Sequence, residues 1–219
     1  MRGRFITFEG GEGCGKTTHI ALLAERLRQA GIEVVLTREP GGTPLCEEIR
    51  NMLQHDSCGE SPCPAAETLL FCASRAQLIS KVIRPALERG AWVLSDRFAD
   101  STIAYQGYGR GFPLSTLRAI LDFATGGLVP DATFLLEVSK EVESERLAKR
   151  YSEGQAIDRF EREASEFHNR VRQGFLEIAK TEPNRVARIL TDKEKELTHQ
   201  EIVSEIESRL NVSIGDKLC

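Results

Sequence analysis

The sequence lacks the apolar segments that would place the protein in or on a membrane. No run approaches the roughly 18 consecutive apolar residues of a spanning helix. The opening stretch MRGRFITFEGG also has no uninterrupted apolar core of the kind found in a signal peptide. We therefore expect a soluble, cytoplasmic protein with no membrane partner.

The sequence also lacks an excess of positive charge. Its 29 lysines and arginines are outnumbered by 33 aspartates and glutamates, which gives a net charge of -4 and a pI near 5.7. Sequence-independent binding of DNA or RNA depends on a basic surface that releases counterions. We expect no nucleic-acid partner, so a polyanionic ligand has to bind at a local site.

Cysteine occurs without the spacing that would give it a structural role. The six cysteines form neither the paired C-x-x-C pattern of a zinc site nor a dense disulfide framework. They are Cys14, Cys46, Cys58, Cys63, Cys72 and Cys219. We interpret all six as thiols and assign Cys219 no role. In the polar stretch HDSCGESPCP, a metal or a disulfide at Cys58 and Cys63 is the alternative.

Strand-like and helix-like patterns alternate along the 219 residues, with no internal repeat. Short β-rich runs lie at residues 4–9, 33–37, 91–95, 133–138 and 186–190. Helical periodicity covers residues 16–30 before Gly31, residues 64–89 with a break near Pro85, a stripe from Phe160 to Ile178, and a last segment marked by Ile202, Ile206 and Leu210. This alternation is typical of β-α-β units. We predict one α/β domain over residues 1–219, with a parallel sheet and a mobile flap at about residues 146–163.

A glycine-rich loop lies between the first predicted strand and the first predicted helix. Residues 10–17, GGEGCGKT, match the phosphate-binding pattern G-x-x-x-x-G-K-[ST] in the strand-loop-helix context that it requires. In such a loop, backbone N–H groups and the helix N-terminus surround a phosphate, Lys16 reaches the outer phosphates, and Thr17 offers a hydroxyl to Mg²⁺. The predicted phosphate-binding residues are Gly10, Gly11, Glu12, Gly13, Cys14, Gly15, Lys16, Thr17 and Thr18. The pattern indicates a site for a nucleoside triphosphate.

Charged residues end the second and third predicted strands. Asp96 closes the apolar run WVLSD and is a candidate ligand of Mg²⁺, with a turn or helix cap as the alternative. Arg38 stands in TREPGGT and Arg97 in DRF. Open α/β sheets bind ligands at the carboxyl ends of their strands, and guanidinium groups bind phosphate in a bidentate manner. We predict that the two arginines bind a second phosphate, the alternative being that each is a surface charge.

The sequence resembles the thymidylate kinases over nearly its whole length. The stretches that carry the resemblance are FEGGEGCGKTT, TREPGGT, LLFCASRAQ, DRFADSTIAYQGYGRG and DRFE at residues 158–161. The resemblance implies transfer of the γ-phosphoryl group of ATP to dTMP, with Mg²⁺, giving dTDP and ADP for dTTP synthesis. It also implies the three-layer P-loop NTPase fold, with a five-stranded parallel sheet flanked by helices, and a homodimer.

The resemblance further implies roles for single residues in binding dTMP. Arg38 and Arg97 bind the dTMP phosphate, Phe71 stacks on thymine and Arg75 bonds its carbonyl edge, Tyr105 lies against the deoxyribose, and Thr102 and Gln106 reach the base. Without the resemblance, Phe71 reads as part of an apolar helix stripe. Tyr105 lies in AYQGYGRG, which we interpret as a glycine-rich turn and not as core.

The phosphate loop contains no arginine, so the resemblance assigns the stabilising cation to the lid. Arg146, Lys149 and Arg150 precede the predicted flap and Arg159 follows it. We favour Arg150 as the residue that neutralises charge in the transition state. With Lys16 and Arg97 it forms the predicted catalytic set, together with Glu12, which in the family faces the sugar 3′-hydroxyl or the metal.

Other activities remain as alternatives to a dTMP kinase. A guanine-reading N-K-x-D motif is missing, and no glutamine follows the strand-end aspartate, which disfavours a GTPase switch. A kinase for another nucleoside monophosphate would use the same loop with a different base pocket. A regulatory module that binds ATP without transferring phosphate is the alternative from a different class.

No general base is needed for phosphate as acceptor, because its oxygens are already ionised.

Overall fold

The computed structural model describes residues 3–55, 59–154 and 158–215. Its centre is a parallel sheet of five strands within these residues, in the order β2-β3-β1-β4-β5. The strands are β1 (Phe5–Glu9), β2 (Val34–Arg38), β3 (Trp92–Asp96), β4 (Ala132–Glu137) and β5 (Val186–Leu190). Each predicted strand is confirmed to within one residue at either end, and the parallel sheet confirms the predicted fold class.

Helices cover both faces of the sheet. They are α1 (Lys16–Gln29), α2 (Pro44–His55), α3 (Pro64–Leu78), α4 (Arg84–Glu88), α5 (Ala99–Thr102), α6 (Leu114–Thr125), α7 (Lys140–Ser152), α8 (Ser165–Thr181) and α9 (Lys195–Leu210). Alternate strand residues point to opposite faces. Phe8 packs with α1 and α9, whereas Phe5 packs with the first turns after α3 and Leu135 with α6 and α8. The result is three layers, helix on sheet on helix.

The sheet brings the charged strand ends to one edge. In the strand register, Arg38 of β2 is opposite Asp96 of β3, and Asp96 is opposite Phe8 of β1. β1 therefore ends at Glu9 beside the ends of β2 and β3, and the phosphate loop begins at that point. This arrangement confirms that the predicted loop, Asp96 and Arg38 share the carboxyl edge of the sheet.

Two π-helical segments lie among the helices. The helix predicted over residues 64–89, with a break near Pro85, is interrupted at Ile79–Ile83, two residues before that proline, and continues as α4. The segment Ile103–Gly109, interpreted from sequence as a glycine-rich turn, is a second π-helical segment that packs on α8. That interpretation was wrong because Gly109 serves close packing: a Cβ there would lie 2.7 Å from the ring of Phe167.

The predicted flap is only partly an irregular segment. Residues 146–152 belong to α7, which contributes no buried side chain to the protein. Residues 155–157 lie outside the described part, and residues 158–163 form turns before α8 begins at Ser165. The assignment of Phe160 to the helical stripe was therefore wrong. We call residues 158–163 the lid limb.

The structure describes four of the six cysteines. Cys14, Cys46, Cys63 and Cys72 are free thiols, while Cys58 and Cys219 lie outside the described residues. Among residues 3–55, 59–154 and 158–215, no helix combines the length and apolarity needed to cross a membrane.

Candidate active site

The phosphate loop is shaped by glycines whose backbone conformations other residues rarely adopt. Gly10, Gly13 and Gly15 have positive φ angles of 134°, 68° and 91°, which L side chains rarely adopt. A Cβ at Gly10 would also lie 2.3 Å from the carbonyl oxygen of Leu136. Lys16, nearly buried, donates from Nζ to the carbonyl oxygen of Gly11 at 2.7 Å. The lysine ammonium thus lies across the loop that the sequence predicts to hold phosphate.

A cavity of about 440 Å³ opens beside this loop. We call it the arginine cavity because five arginines line it: Arg38, Arg50, Arg75, Arg97 and Arg150. Predicted site residues in its wall are Glu12, Lys16, Thr17, Arg38, Phe71, Arg75, Asp96, Arg97, Thr102, Tyr105, Gln106 and Arg150. The structure therefore brings together every residue predicted for the acceptor, the metal and catalysis.

The other loop residues lie away from this cavity. Gly10, Gly11 and Cys14 line a second cavity of about 390 Å³ between the loop, α7 and α8. Gly13 and Gly15 are in the wall of neither cavity, and Thr18 is exposed on α1. Cys14 is buried and donates from Sγ to the carbonyl oxygen of Gly11 at 3.0 Å.

Arg97 connects the phosphate loop to the arginine cavity. Its φ of 69° is in the left-handed region, which costs a residue other than glycine conformational energy. Its Nη2 donates to Oε1 of Glu12 at 2.5 Å, and Nη1 donates to the carbonyl oxygen of Gly10 at 2.9 Å. The guanidinium also lies 5.3 Å from the ring centre of Tyr105. The unusual backbone conformation directs this cation toward the loop.

Glu12 is an anion held among cations. Burial alone would raise the pKa of its carboxyl, but Arg97, Lys16 and Arg150 together lower that pKa to about 2. Arg150 donates to Oε2 of Glu12 at 3.4 Å. A negative charge in a phosphate-binding loop is accommodated here because Glu12 bridges two arginines.

Glu9, which the sequence reasoning missed, holds the turn that contains Arg97. Its Oε1 accepts from the backbone N–H of Phe98 at 2.8 Å, and Oε2 lies 2.6 Å from the hydroxyl of Ser101. Burial and the neighbouring Asp100 raise the pKa of Glu9 to about 8. Only its place directly before the glycine loop could have drawn attention to it.

The far end of the arginine cavity is built around Arg75. This side chain is 1% exposed; it pairs with Glu39 at 2.6 Å and donates to the hydroxyl of Thr102 and to the carbonyl oxygen of Phe98, both at 3.0 Å. An arginine so deeply buried needs such partners. The contacts fix the guanidinium in the cavity wall and tie Thr102 to it.

Aromatic rings line the same cavity as Arg75. Phe71 is half-buried and lines the cavity, with its ring centre 5.7 Å from that of Phe160. Phe160 in turn lies 6.0 Å from Tyr105 in an edge-on arrangement. The alternative of a core role for Phe71 is therefore wrong, and the lid limb contributes an aromatic side chain that sequence reasoning assigned to a helix.

Arg38 and Arg50 also line the cavity. Arg38 is half-exposed and pairs with Glu47 at 2.9 Å. Arg50, which sequence reasoning missed, donates to the carbonyl oxygen of Pro40 at 2.8 Å. Burial and the charge of Arg38 lower the pKa of Arg50, as expected where two cations face one cavity. In the sequence, the signal that points to Arg50 is its place in the helical segment that follows TREPGGT.

The four cations predicted for the lid have different surroundings. Arg150 lines the arginine cavity and pairs with Glu12 and Glu161. Arg146 donates to the carbonyl oxygens of Gly13 and Thr191, Arg159 donates to that of Leu53, and Lys149 is exposed. Of these four, Arg150 alone lies in the wall of the arginine cavity.

Comparison with known proteins identifies the family. The thymidylate kinase family model matches residues 8–202. The thymidylate kinase of Pelotomaculum thermopropionicum is 46% identical and covers 96% of either chain, and that of Carboxydothermus hydrogenoformans is 50% identical over 85% of this chain and 89% of its own. The crystal structure of thymidylate kinase from Ehrlichia chaffeensis matches with a TM-score of 0.75 at 37% identity, covering 93% of this chain and 98% of that one. The chain therefore belongs to the thymidylate kinase family.

Proposed function

We propose that this chain transfers the γ-phosphoryl group of ATP to the phosphate of dTMP, giving dTDP and ADP, as a single kinase domain with a lid at about residues 146–163. Family membership supports the reaction. The observation that carries it is the shared wall between loop and cavity: Glu12, Lys16 and Thr17 belong to both the phosphate loop and the arginine cavity. A phosphate on the loop and a phosphate in the cavity are then neighbours.

The transfer step depends on neutralising charge. Two phosphates repel each other as they approach, and a loose transition state spreads negative charge over the transferred group. Three cations from different elements line the cavity: Lys16 of the loop, Arg97 after the end of β3 and Arg150 of α7. Glu12 holds Arg97 and Arg150 in place. Preorganised charge of this kind needs no general base, because the attacking phosphate oxygen is already ionised.

The acceptor nucleotide fits the remainder of the arginine cavity. We assign the dTMP phosphate to Arg38 and Arg97, at the end nearest the loop. Phe71 stacks on thymine, with Arg75, Thr102 and Gln106 facing the polar edge of the base and Tyr105 against the deoxyribose. The apolar ring and the buried polar groups at that end favour a planar base with hydrogen-bonding edges.

Residues suited to Mg²⁺ lie between loop and cavity. The hydroxyl of Thr17 is 3.4 Å from Oδ2 of Asp96. Mg²⁺ prefers oxygen ligands and is usually held by one or two protein groups together with phosphate oxygens. When bound, Mg²⁺ would help to neutralise the ATP phosphates, and Thr17 and Asp96 would hold it together with phosphate oxygens and waters. In the described part of the chain no cluster of three or more His, Cys, Asp or Glu side chains offers a metal site.

An exposed apolar surface supports a homodimer. Phe123 of α6 is 90% exposed and Leu69 of α3 is 57% exposed. Ala73 and Ala76 follow Leu69 at helical spacing, and Ala76 lies with Phe123 around a shallow cavity. We call these four residues the α3–α6 face. Large apolar side chains exposed together mark association surfaces, and a second copy of the chain is the partner that family resemblance implies.

The test of function is an acceptor-specificity assay. Formation of ADP is measured with ATP and Mg²⁺ and with dTMP, dUMP, dCMP, dAMP or dGMP offered separately. Turnover on dTMP far above the other nucleotides is the expected result. Preference for another monophosphate contradicts the base assignments, and ADP release that ignores the acceptor contradicts phosphoryl transfer altogether.

A variant tests the position of the acceptor phosphate. Arg97→Ala should lower kcat/KM for dTMP on the order of 10²–10³-fold, because it removes a charge aimed at the transferred group, while ATP affinity measured by calorimetry stays nearly constant. Arg28→Ala makes the same substitution at an exposed position of α1 and should leave both values unchanged. Near-normal turnover by Arg97→Ala contradicts the proposed phosphate site.

A further inference from the structure

Glu67 places a carboxylate in the protein interior at the first turn of α3. Its side chain is 1% exposed and contacts three polar side chains. Oε1 accepts from Nε2 of Gln106 at 2.9 Å and from Nε of Arg110 at 3.2 Å. Oε2 accepts from Nη2 of Arg110 at 3.1 Å and lies 2.8 Å from Nη2 of Arg159. A carboxylate is this deeply buried only when such partners compensate its charge, yet none of the roles assigned above uses it.

The carboxylate determines how the amide of Gln106 is oriented. An ionised carboxylate only accepts hydrogen bonds, so the NH₂ end of the amide has to face Glu67. Gln106 also lines the arginine cavity, and its carbonyl oxygen is the end left for a ligand. That oxygen accepts from the N3–H of thymine or uracil. N3 of cytosine is itself an acceptor and would leave the buried oxygen without a partner, which is costly.

The same carboxylate is connected to the lid limb. Arg159 belongs to this limb, and Arg110 forms a second ion pair with Glu163, also of the limb, at 2.6 Å. The guanidinium of Arg159 stacks 4.6 Å from the ring centre of Phe160. Phe160 packs against the cavity aromatic Phe71. The residue that contacts the amide of Gln106 thus also contacts the segment whose Phe160 lines the same cavity.

We propose that Glu67 is a positioning residue for base selection. It holds the carbonyl oxygen of Gln106 toward the acceptor base and so favours an imide N3–H over the acceptor nitrogen of cytosine. Through Arg159 it keeps the lid limb seated beside the same base. This inference rests on the proposed dTMP kinase activity and identifies a residue, outside the cavity wall, that sets its substrate specificity.

The decisive variant is Glu67→Gln. A glutamine at position 67 can present either its oxygen or its NH₂ group to Gln106, so both orientations of the Gln106 amide become accessible. The preference for dTMP over dCMP, measured as the ratio of kcat/KM values, should fall at least about tenfold, because a buried acceptor is no longer fixed against cytosine. The preference for dTMP over dUMP should not change, since both bases present the same imide.

A matched control separates this effect from loss of charge near the lid. Glu163→Gln removes a carboxylate from the same arginine, Arg110, without touching Gln106, so it should keep the dTMP preference over dCMP. In a Gln106→Ala background, Glu67→Gln should cause no further loss of that preference, because Glu67 distinguishes the two bases through Gln106, whereas its contact with Arg159 acts on dTMP and dCMP alike.

The outcomes distinguish this inference from the function on which it rests. A wild-type enzyme without preference for dTMP overturns both. A wild-type preference that survives Glu67→Gln, or that Glu163→Gln reduces equally, overturns the inference alone. If Glu67→Gln does not fold, Glu67→Asp keeps the charge but withdraws the carboxylate from Gln106 by one methylene. It should reduce the dTMP preference in part, and full retention by this variant also overturns the inference.

Discussion

Glu9 shows at the scale of one residue how a buried acid supports a catalytic cation. Its carboxyl group contacts the N–H of Phe98 and the hydroxyl of Ser101, both in the segment that directly follows Arg97. Arg97 keeps its left-handed conformation although it is not glycine, and that conformation persists only where neighbouring contacts determine it. Glu9 supplies two of those contacts.

The raised pKa of Glu9 predicts a dependence of stability on pH. Burial raises this pKa to about 8, above the unfolded value, so between pH 5 and pH 8 the folded state binds the proton more tightly. Stability from this group is therefore complete at low pH and is lost as the pH rises through 8. Glu9→Gln imitates the protonated form, and its Tm should rise relative to wild type by more than about 2 °C between pH 5 and pH 8.

The measurement is thermal unfolding of both proteins across this pH range. Glu48→Gln provides the control, because it makes the same substitution at an exposed position of α2 and should give a constant difference from wild type. A constant difference for Glu9→Gln as well would show that Glu9 is ionised in the folded protein.

Single residues were predictable where one short stretch of sequence carries the chemistry. Lys16 and Thr17 belong to a motif of eight residues, and Asp96 ends a strand. Glu67 and Phe160 were missed because their roles arise from contacts between segments distant along the chain, such as Glu67 with Arg159. No local pattern distinguishes a buried ion-paired glutamate from an exposed one.

At the scale of elements, the strands were predictable and the packing between helices was not. β1 and β4 are buried along nearly their whole length, and central strands of a parallel sheet therefore appear in the sequence as short, mostly apolar runs. The second π-helical segment instead depends on its close contact with α8. The glycines of that segment appeared to indicate a turn, whereas in the structure they allow the segment to pack closely on its neighbouring helices. The order of strands in the sheet likewise depends on long-range pairing.

The close contact between this segment and α8 predicts the effect of replacing one glycine by alanine. A Cβ at Gly174 of α8 would lie 2.7 to 2.9 Å from three side-chain atoms of Tyr108. Gly174→Ala should lower the free energy of unfolding by about 1–2 kcal/mol, since overpacking outweighs the better helix propensity of alanine. Urea denaturation measures the change. Asn169→Ala, at an exposed position of the same helix, should change stability by less than about 0.5 kcal/mol, and an equally stable Gly174→Ala would show that the two helices have room to separate.

At the scale of the whole molecule, the α3–α6 face concerns the assembly of the protein and not its folding. The core of the protein is complete on both faces of the sheet, so folding does not require Phe123 or Leu69 to be covered. Their exposure of 90% and 57% instead favours association, which buries apolar area. The composition alone could not indicate this surface, because it depends on which helix faces the fold leaves uncovered.

Introducing a charge on this face should dissociate the proposed homodimer. Phe123→Glu would place a carboxylate where apolar surface is buried between two copies, and an unpaired charge in such a position is strongly unfavourable. Sedimentation velocity should therefore show a monomer at concentrations where the wild type is a dimer. Leu197→Glu introduces the same charge at a half-exposed leucine of α9, which lies on the layer with α1 and not with α3 and α6, and should remain dimeric. A wild type that is monomeric across the concentration series, or a Phe123→Glu variant that stays dimeric, contradicts the assignment of this face as the interface.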